Sequence, residues 1–129
     1  MILLDTHIWI WWVSRPDQLR PRHREVLESG GDAVFGVSII SCWEVAKLVE
    51  YGRLKLDRPV GLWIGYALAV PGVSLIDLSP QIAVESTLLP QPFHRDPADQ
   101  ILVATARVLR CPIMTDDAKI AVYPHVRVV

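Results

Sequence analysis

The chain has 129 residues, 51% of them hydrophobic, two cysteines and a formal net charge of -1. That length suits one ordinary domain with a substantial core, and the charge excludes a protein that coats nucleic acid through bulk positive charge. Nucleic-acid contact would have to rest on local basic patches or on metal ions. No apolar run approaches the roughly 20 residues of a membrane helix, and the amino terminus lacks a basic region followed by a signal-type core. Cys42 and Cys111 have neither a CxxC spacing nor the number of a disulfide framework. The expectation is one cytoplasmic domain, 1–129, without membrane contact and with reduced, buried thiols.

Met1 to Leu4 is a short apolar run that stops at Asp5-Thr6, as a buried parallel strand stops at a helix cap. Ile8 to Val13 is apolar on all sides and holds Trp9, Trp11 and Trp12, either as core or partly as an interface. Arg20 to Glu28 reads as a surface helix opened near Pro21 and ended by Gly30-Gly31. Ala33 to Val37 is a second strand. Beyond it, Ser41-Cys42-Trp43-Glu44 matches the S-x-x-E capping box of a helix that continues to Gly52, which makes a structural job available to Glu44 beside a catalytic one. Val60 to Val70 reads as a helix stopped by Pro71-Gly72, and Val73 to Leu78 as a third strand. Ser79-Pro80 opens a further helix through about Leu88.

The stretch from Phe93 to Ala106 then opens a long apolar helix, with Asp96 as its N-cap, Pro97 at its first position and Asp99 at its third, near the positive end of the helix dipole. Cys111 to Met114 is a fourth strand ending at Thr115-Asp116-Asp117. Ala118 to Val122 is a short helix, and Val126 to Val129 an edge strand. Strands alternating with helices predict an α/β fold, a central parallel sheet covered on both faces, with its site outside the carboxyl ends of the strands.

Asp5, Glu44, Asp99 and Asp117 all fall at that edge. Four separate caps do not explain why each is an acid rather than Ser, Asn or Thr. Carboxylates brought so close repel one another, and a divalent cation removes the conflict. Oxygen ligands suit Mg²⁺ or Mn²⁺, and no Cys/His spacing suits zinc. A cation so held can bind a phosphate oxygen, activate water and stabilise a leaving oxygen, which is the chemistry of phosphodiester hydrolysis.

Leu3-Leu4-Asp5-Thr6-His7, Ser38 through Glu44, His94-Arg95-Asp96-Pro97-Ala98-Asp99-Gln100 with Ala104-Thr105-Ala106, and Thr115-Asp116-Asp117 together resemble the PIN-domain ribonucleases, and more narrowly the VapC toxins of bacterial type II toxin-antitoxin systems. The resemblance covers essentially the whole chain. It implies a three-layer α/β/α domain, an Mg²⁺-dependent endoribonuclease, a homodimer and inhibition by a cognate antitoxin whose tail lies near the acids. Asp5, Glu44, Asp99 and Asp117 would form the catalytic, metal-holding cluster, with Asp5 and Asp99 as direct ligands. Thr6, Ser38 and Thr115 would support it through their hydroxyls. Asp96 reads first as the N-cap, with a supporting role open to it, and the T-x-D spacing selects Asp117 over Asp116. Lys47 and Arg95 could meet RNA phosphate or antitoxin carboxylate, against the simpler reading of solvated cations. His94 reads as a structural or exposed loop histidine rather than a general base.

Two other phosphoryl-transfer classes fit less well. A haloacid-dehalogenase-type phosphatase wants Asp-x-Asp after the first strand, where His7 takes the second place, and a response-regulator receiver wants its acid pair early, whereas Asp116-Asp117 come late. The non-enzymatic alternative is a catalytically silent PIN-fold protein acting through partner binding, which would be expected to lack at least one acid.

Overall fold

The computed structural model describes residues 1–129. Four strands, β1 (Ile2–Leu4), β2 (Phe35–Ser38), β3 (Val73–Ile76) and β4 (Ile113–Met114), form one sheet in the order β3-β2-β1-β4, and every neighbouring pair is parallel. Seven α-helices connect and cover them: α1 (Thr6–Ser14), α2 (Pro21–Glu28), α3 (Ile39–Glu50), α4 (Val60–Leu68), α5 (Pro80–Ser86), α6 (Pro97–Leu109) and α7 (Ala118–Ala121). The strands are short and nearly all apolar because the central ones are buried on both sides.

The period-two geometry of a strand divides the core. Leu3 and Ile113 face a cluster with Leu102, Val103 and Ala106 of α6, Ile82 of α5 and Ile120 of α7. Leu4 and Met114 face the other way, with Phe35 and Val37, into a cluster holding Ile8 and Trp9 of α1, Val45 of α3 and Trp63 of α4. The expected α/β/α layering is thus observed. Trp9 and Trp63 meet edge to face at 5.1 Å between ring centroids, and the Trp63 indole donates to Ser14 Oγ at 2.7 Å. Of the three tryptophans in α1, only Trp9 is wholly buried. Trp12 packs edge-on against Phe35, and Trp11 tilts against His7.

Three sequence expectations change. The helix after β2 begins at Ile39, not at Ser41, because Ser38 already has the extended backbone of a cap and its hydroxyl accepts from Ile40 N–H at 3.1 Å. Val126 to Val129 makes a single parallel bridge, Ile113 with Val128, instead of an edge strand. Cys42 is half-buried rather than buried, while Cys111 is buried, and both are free thiols.

Strand order reverses between β1 and β4, since β1, β2 and β3 step outward in one direction and β4 lies on the other side of β1. The crevice outside their carboxyl ends is where an open parallel sheet binds its ligand. Trp9 is the largest side chain buried at 0% exposure. Replacing it (Trp9→Ala) should lower unfolding free energy by about 3–5 kcal/mol in urea titrations, through lost burial and the cavity left beside Trp63.

Candidate active site

Asp5 follows β1 directly and caps α1, and both of its oxygens are committed. Oδ1 accepts from Thr6 N–H at 2.7 Å, and Oδ2 accepts the Thr115 hydroxyl at 2.6 Å across the β1/β4 switch point. Thr115 Oγ1 in turn accepts from Asp117 N–H at 2.9 Å, which ties the Thr-x-Asp corner to Asp5. Asp117 caps α7, its Oδ1 accepting from Lys119 N–H at 2.8 Å.

Glu44 enters from the opposite face. With α3 starting at Ile39, it stands in the second turn and has no capping role, so the structural job suggested by the S-x-x-E pattern is absent. Its Oε1 accepts the Thr6 hydroxyl at 2.5 Å. Thr6 has one proton and spends it there, so the 2.8 Å contact between Thr6 Oγ1 and the buried Ser41 Oγ is donated by Ser41. Thr6 therefore touches the same cluster twice, through its amide on Asp5 and its hydroxyl on Glu44. Ser38, expected beside the acids, is buried and serves as the α3 cap.

Asp99 comes from the first turn of α6, whose cap Asp96 accepts from Asp99 N–H at 3.2 Å. Its Oδ2 lies 2.6 Å from His94 Nε2. His94 Nδ1 has no partner, so the ring is held by Asp99 on one side and by Phe93 on the other, at 4.5 Å between ring centroids. Gln100 Nε2 donates to the His94 carbonyl at 3.1 Å and fixes the loop that carries it. The sequence reading missed this role for His94. Its position five residues before Asp99 and just outside the cap was the available signal. His7 was missed as well: with Asp5, Trp11, Asp116 and Asp117 it lines a pocket of about 220 Å³ at the switch point.

The remaining candidates are placed less centrally. Asp116 is ion-paired with Arg20 at the rim of the pocket it shares with Asp5 and Asp117. Lys47 is paired with Glu50 at 2.8 Å and lies over the Trp43 and Tyr51 rings, so its charge is already met. Arg95 is exposed beside the α6 cap.

These carboxylates share one field. Burial pushes Glu44 up to about 7, and the charges of Asp5 and Asp96 add to it against the Thr6 bond. Burial likewise pushes Asp99 up to about 7, with Asp5, Asp96, Asp117 and Glu44 all contributing in the same direction. Asp5 is also raised by burial, against the opposing bonds from Thr115 and Thr6. No three His, Cys, Asp or Glu side chains converge as a ready-made cation cage. The donor set is nevertheless oxygen-only, apart from His94, and consists of mutually repelling acids at one edge. That chemistry fits a hard divalent cation.

The result is an α/β protein with an acidic site at the switch point of a parallel sheet. A family profile described as PIN domain matches residues 2–126. Ribonuclease VapC22 of Mycobacterium tuberculosis is 30% identical over 126 residues, spanning 98% of this chain and 94% of that protein. The chain belongs to the PIN domain family. The same fold occurs in VapBC2 of Rickettsia felis, solved on a DNA fragment from its promoter, at a TM-score of 0.71 and 16% identity over 100% of this chain and 98% of that one. It recurs in a toxin-antitoxin complex from Klebsiella pneumoniae, at 0.68 and 24% identity over 100% and 96%.

A raised carboxyl value in the folded protein means that folding takes up protons. The stabilising contribution of Asp99 and Glu44 is fully present below their ordinary values of 3.8 and 4.5 and is lost as pH rises through about 7. In chelator, the melting temperature of the wild type should therefore fall across that window. Asp99→Asn should flatten the fall and melt higher than wild type at the alkaline end, as read by thermal scans at several pH values.

Proposed function

We propose that residues 1–129 form a single nuclease domain that cleaves RNA phosphodiester bonds endonucleolytically, with a divalent cation, as the toxin of a type II toxin-antitoxin module. The observation that carries the reading is the linkage of Asp5, Glu44 and Asp117 through Thr6 and Thr115 at the sheet's carboxyl edge, with Asp99 held by His94 within the same field of charge. The relationship to a ribonuclease over nearly the whole chain supports it.

Asp5, Asp99, Glu44 and Asp117 would hold Mg²⁺, or Mn²⁺ in its place. When bound, such an ion neutralises phosphate charge, lowers the pKa of water for attack and stabilises the leaving oxygen. The chain's own residues supply position. Thr115 and the Thr6 amide fix which lone pairs Asp5 presents, the Thr6 hydroxyl does the same for Glu44, and His94 holds one oxygen of Asp99 so that the other is directed. Asp117 is held through its amide on Thr115. Asp96 works through its bond to the Asp99 amide, and Asp116, paired with Arg20, stands beside Asp5 and Asp117 in the switch-point pocket, so both act as supports. Arg95, free of an ion pair, is the better placed of the two expected cations for phosphate, because Lys47 must first leave Glu50.

Toxin-antitoxin assemblies among the structural relatives support a cognate antitoxin as partner. A homodimer and a cytoplasmic location complete the reading. No helix is long and apolar enough to cross a membrane.

The test is incubation of the purified protein, freed of copurifying partner, with structured RNAs in Mg²⁺, Mn²⁺ or EDTA beside Asp5→Asn. Cleavage should require the metal and vanish in the variant. Thr115→Val should keep the fold and lower metal affinity or rate by roughly 10–100-fold, the effect typical of losing a group that orients a ligand. Calorimetry should show Mg²⁺ or Mn²⁺ binding to the wild type and none to Asp5→Asn. Absence of both binding and cleavage would leave the catalytically silent, partner-binding alternative.

A further inference from the structure

Between the Gln91–His94 loop and the Lys119–His125 segment lies a pocket of about 650 Å³, within the range of about 300–1,000 Å³ of ligand-sized sites. Its floor is the buried Phe93–Tyr123 pair, and its open surface is given by the half-buried His94 and the exposed His125, Pro92 and Val122. Phe93 and Tyr123 meet at 4.7 Å between ring centroids, His94 lies on Phe93 at 4.5 Å, and His125 stands edge-on to Tyr123 at 5.3 Å. The Tyr123 hydroxyl donates to the Pro90 carbonyl at 2.6 Å and locks the floor between the two walls. Val122 forms an apolar rim and is 78% exposed.

The pocket is joined to the acidic site at two points. His94, in one wall, is bonded to Asp99, and Lys119, in the other, is bonded through its amide to Asp117. Its lining includes no acidic residue, although its neighbours are carboxylates, and the Lys119 ammonium is committed to none of them. An occupant that bridges the two must therefore carry a flat or apolar part for the pocket and an anionic part near Lys119 and the acids. A nucleotide has that division, and a base has a π-face suited to such a surface whatever its identity.

We propose that this pocket is a nucleobase subsite, which takes one unstacked base of the RNA strand beside the phosphate that is cut. The inference rests on the ribonuclease reading and adds to it where selectivity arises. Single-stranded or looped RNA is the substrate class, since a base inside a duplex cannot enter. Lys119 meets the phosphate on the pocket side of the strand, while Val122, His94 and His125 hold the base.

The test uses Val122→Glu and Val122→Trp, two changes at an exposed position outside the acid cluster that should melt as the wild type does. Affinity for a short fluorescein-labelled single-stranded RNA is measured in EDTA by anisotropy, and cut sites in a random-sequence RNA pool are sequenced after digestion in Mn²⁺. Val122→Glu should weaken binding by about tenfold and flatten base preference at one position beside the cut, and Val122→Trp should strengthen both, in line with the value of one stacked base. Lys119→Gln should reduce the salt dependence of binding by about one phosphate contact. If wild type cleaves and both Val122 variants share its RNA affinity and base preference, the subsite is refuted and the nuclease reading stands. If wild type neither binds nor cleaves RNA in metal, the nuclease reading itself fails and takes the subsite with it.

Discussion

The Thr115 hydroxyl on Asp5, spanning the ends of β1 and β4, is the interaction on which the site depends. It lies where the strand order reverses, so it can form only if the two strands are adjacent and in register, with Leu3 opposite Ile113 and Leu4 opposite Met114. It also passes the constraint onward, because Thr115 accepts from the Asp117 amide while Asp5 accepts from Thr6, whose hydroxyl reaches Glu44. One short polar chain thus joins β1, β4, α1, α3 and the start of α7. A buried carboxylate without those donors would cost far more than one so satisfied.

That arrangement sets stability against readiness for a ligand. Burial raises Asp5, Glu44 and Asp99 together, the last two up to about 7, so at Glu44 and Asp99 the folded state holds protons that the unfolded chain has already released at the ordinary values of 4.5 and 3.8. Nothing in the hydrophobic clusters requires such a concentration of acid. The protein tolerates it at a single edge, beneath two well-filled cores, where the loss is confined to a few side chains.

Much of this was legible in the sequence because parallel strands are short apolar runs that end abruptly. Asp5 after Leu4 and Asp117 after Thr115 were located by those ends, and Asp99 by the Asp96-Pro97 helix start. Glu44 was obscured by a local pattern that another residue outcompeted: Ser38 lies at the strand end with an extended backbone and caps α3 before Ser41 can. His94 with Asp99, Arg20 with Asp116 and Thr6 with Ser41 are contacts between loops or distant elements, and no periodicity encodes them. The weak bridge at Val128 shows the converse, an apolar, β-branched tail that pairs at one point only.

The division of the core gives the acidic edge a mechanical meaning. Asp99 and Asp117 head helices packed on one face of the sheet, Glu44 belongs to a helix whose Val45 packs on the other, and Asp5 stands on the seam. The run Glu44–Thr6–Asp5–Thr115 therefore ties an element of each face to the seam, a clasp across the sheet rather than a load on either side.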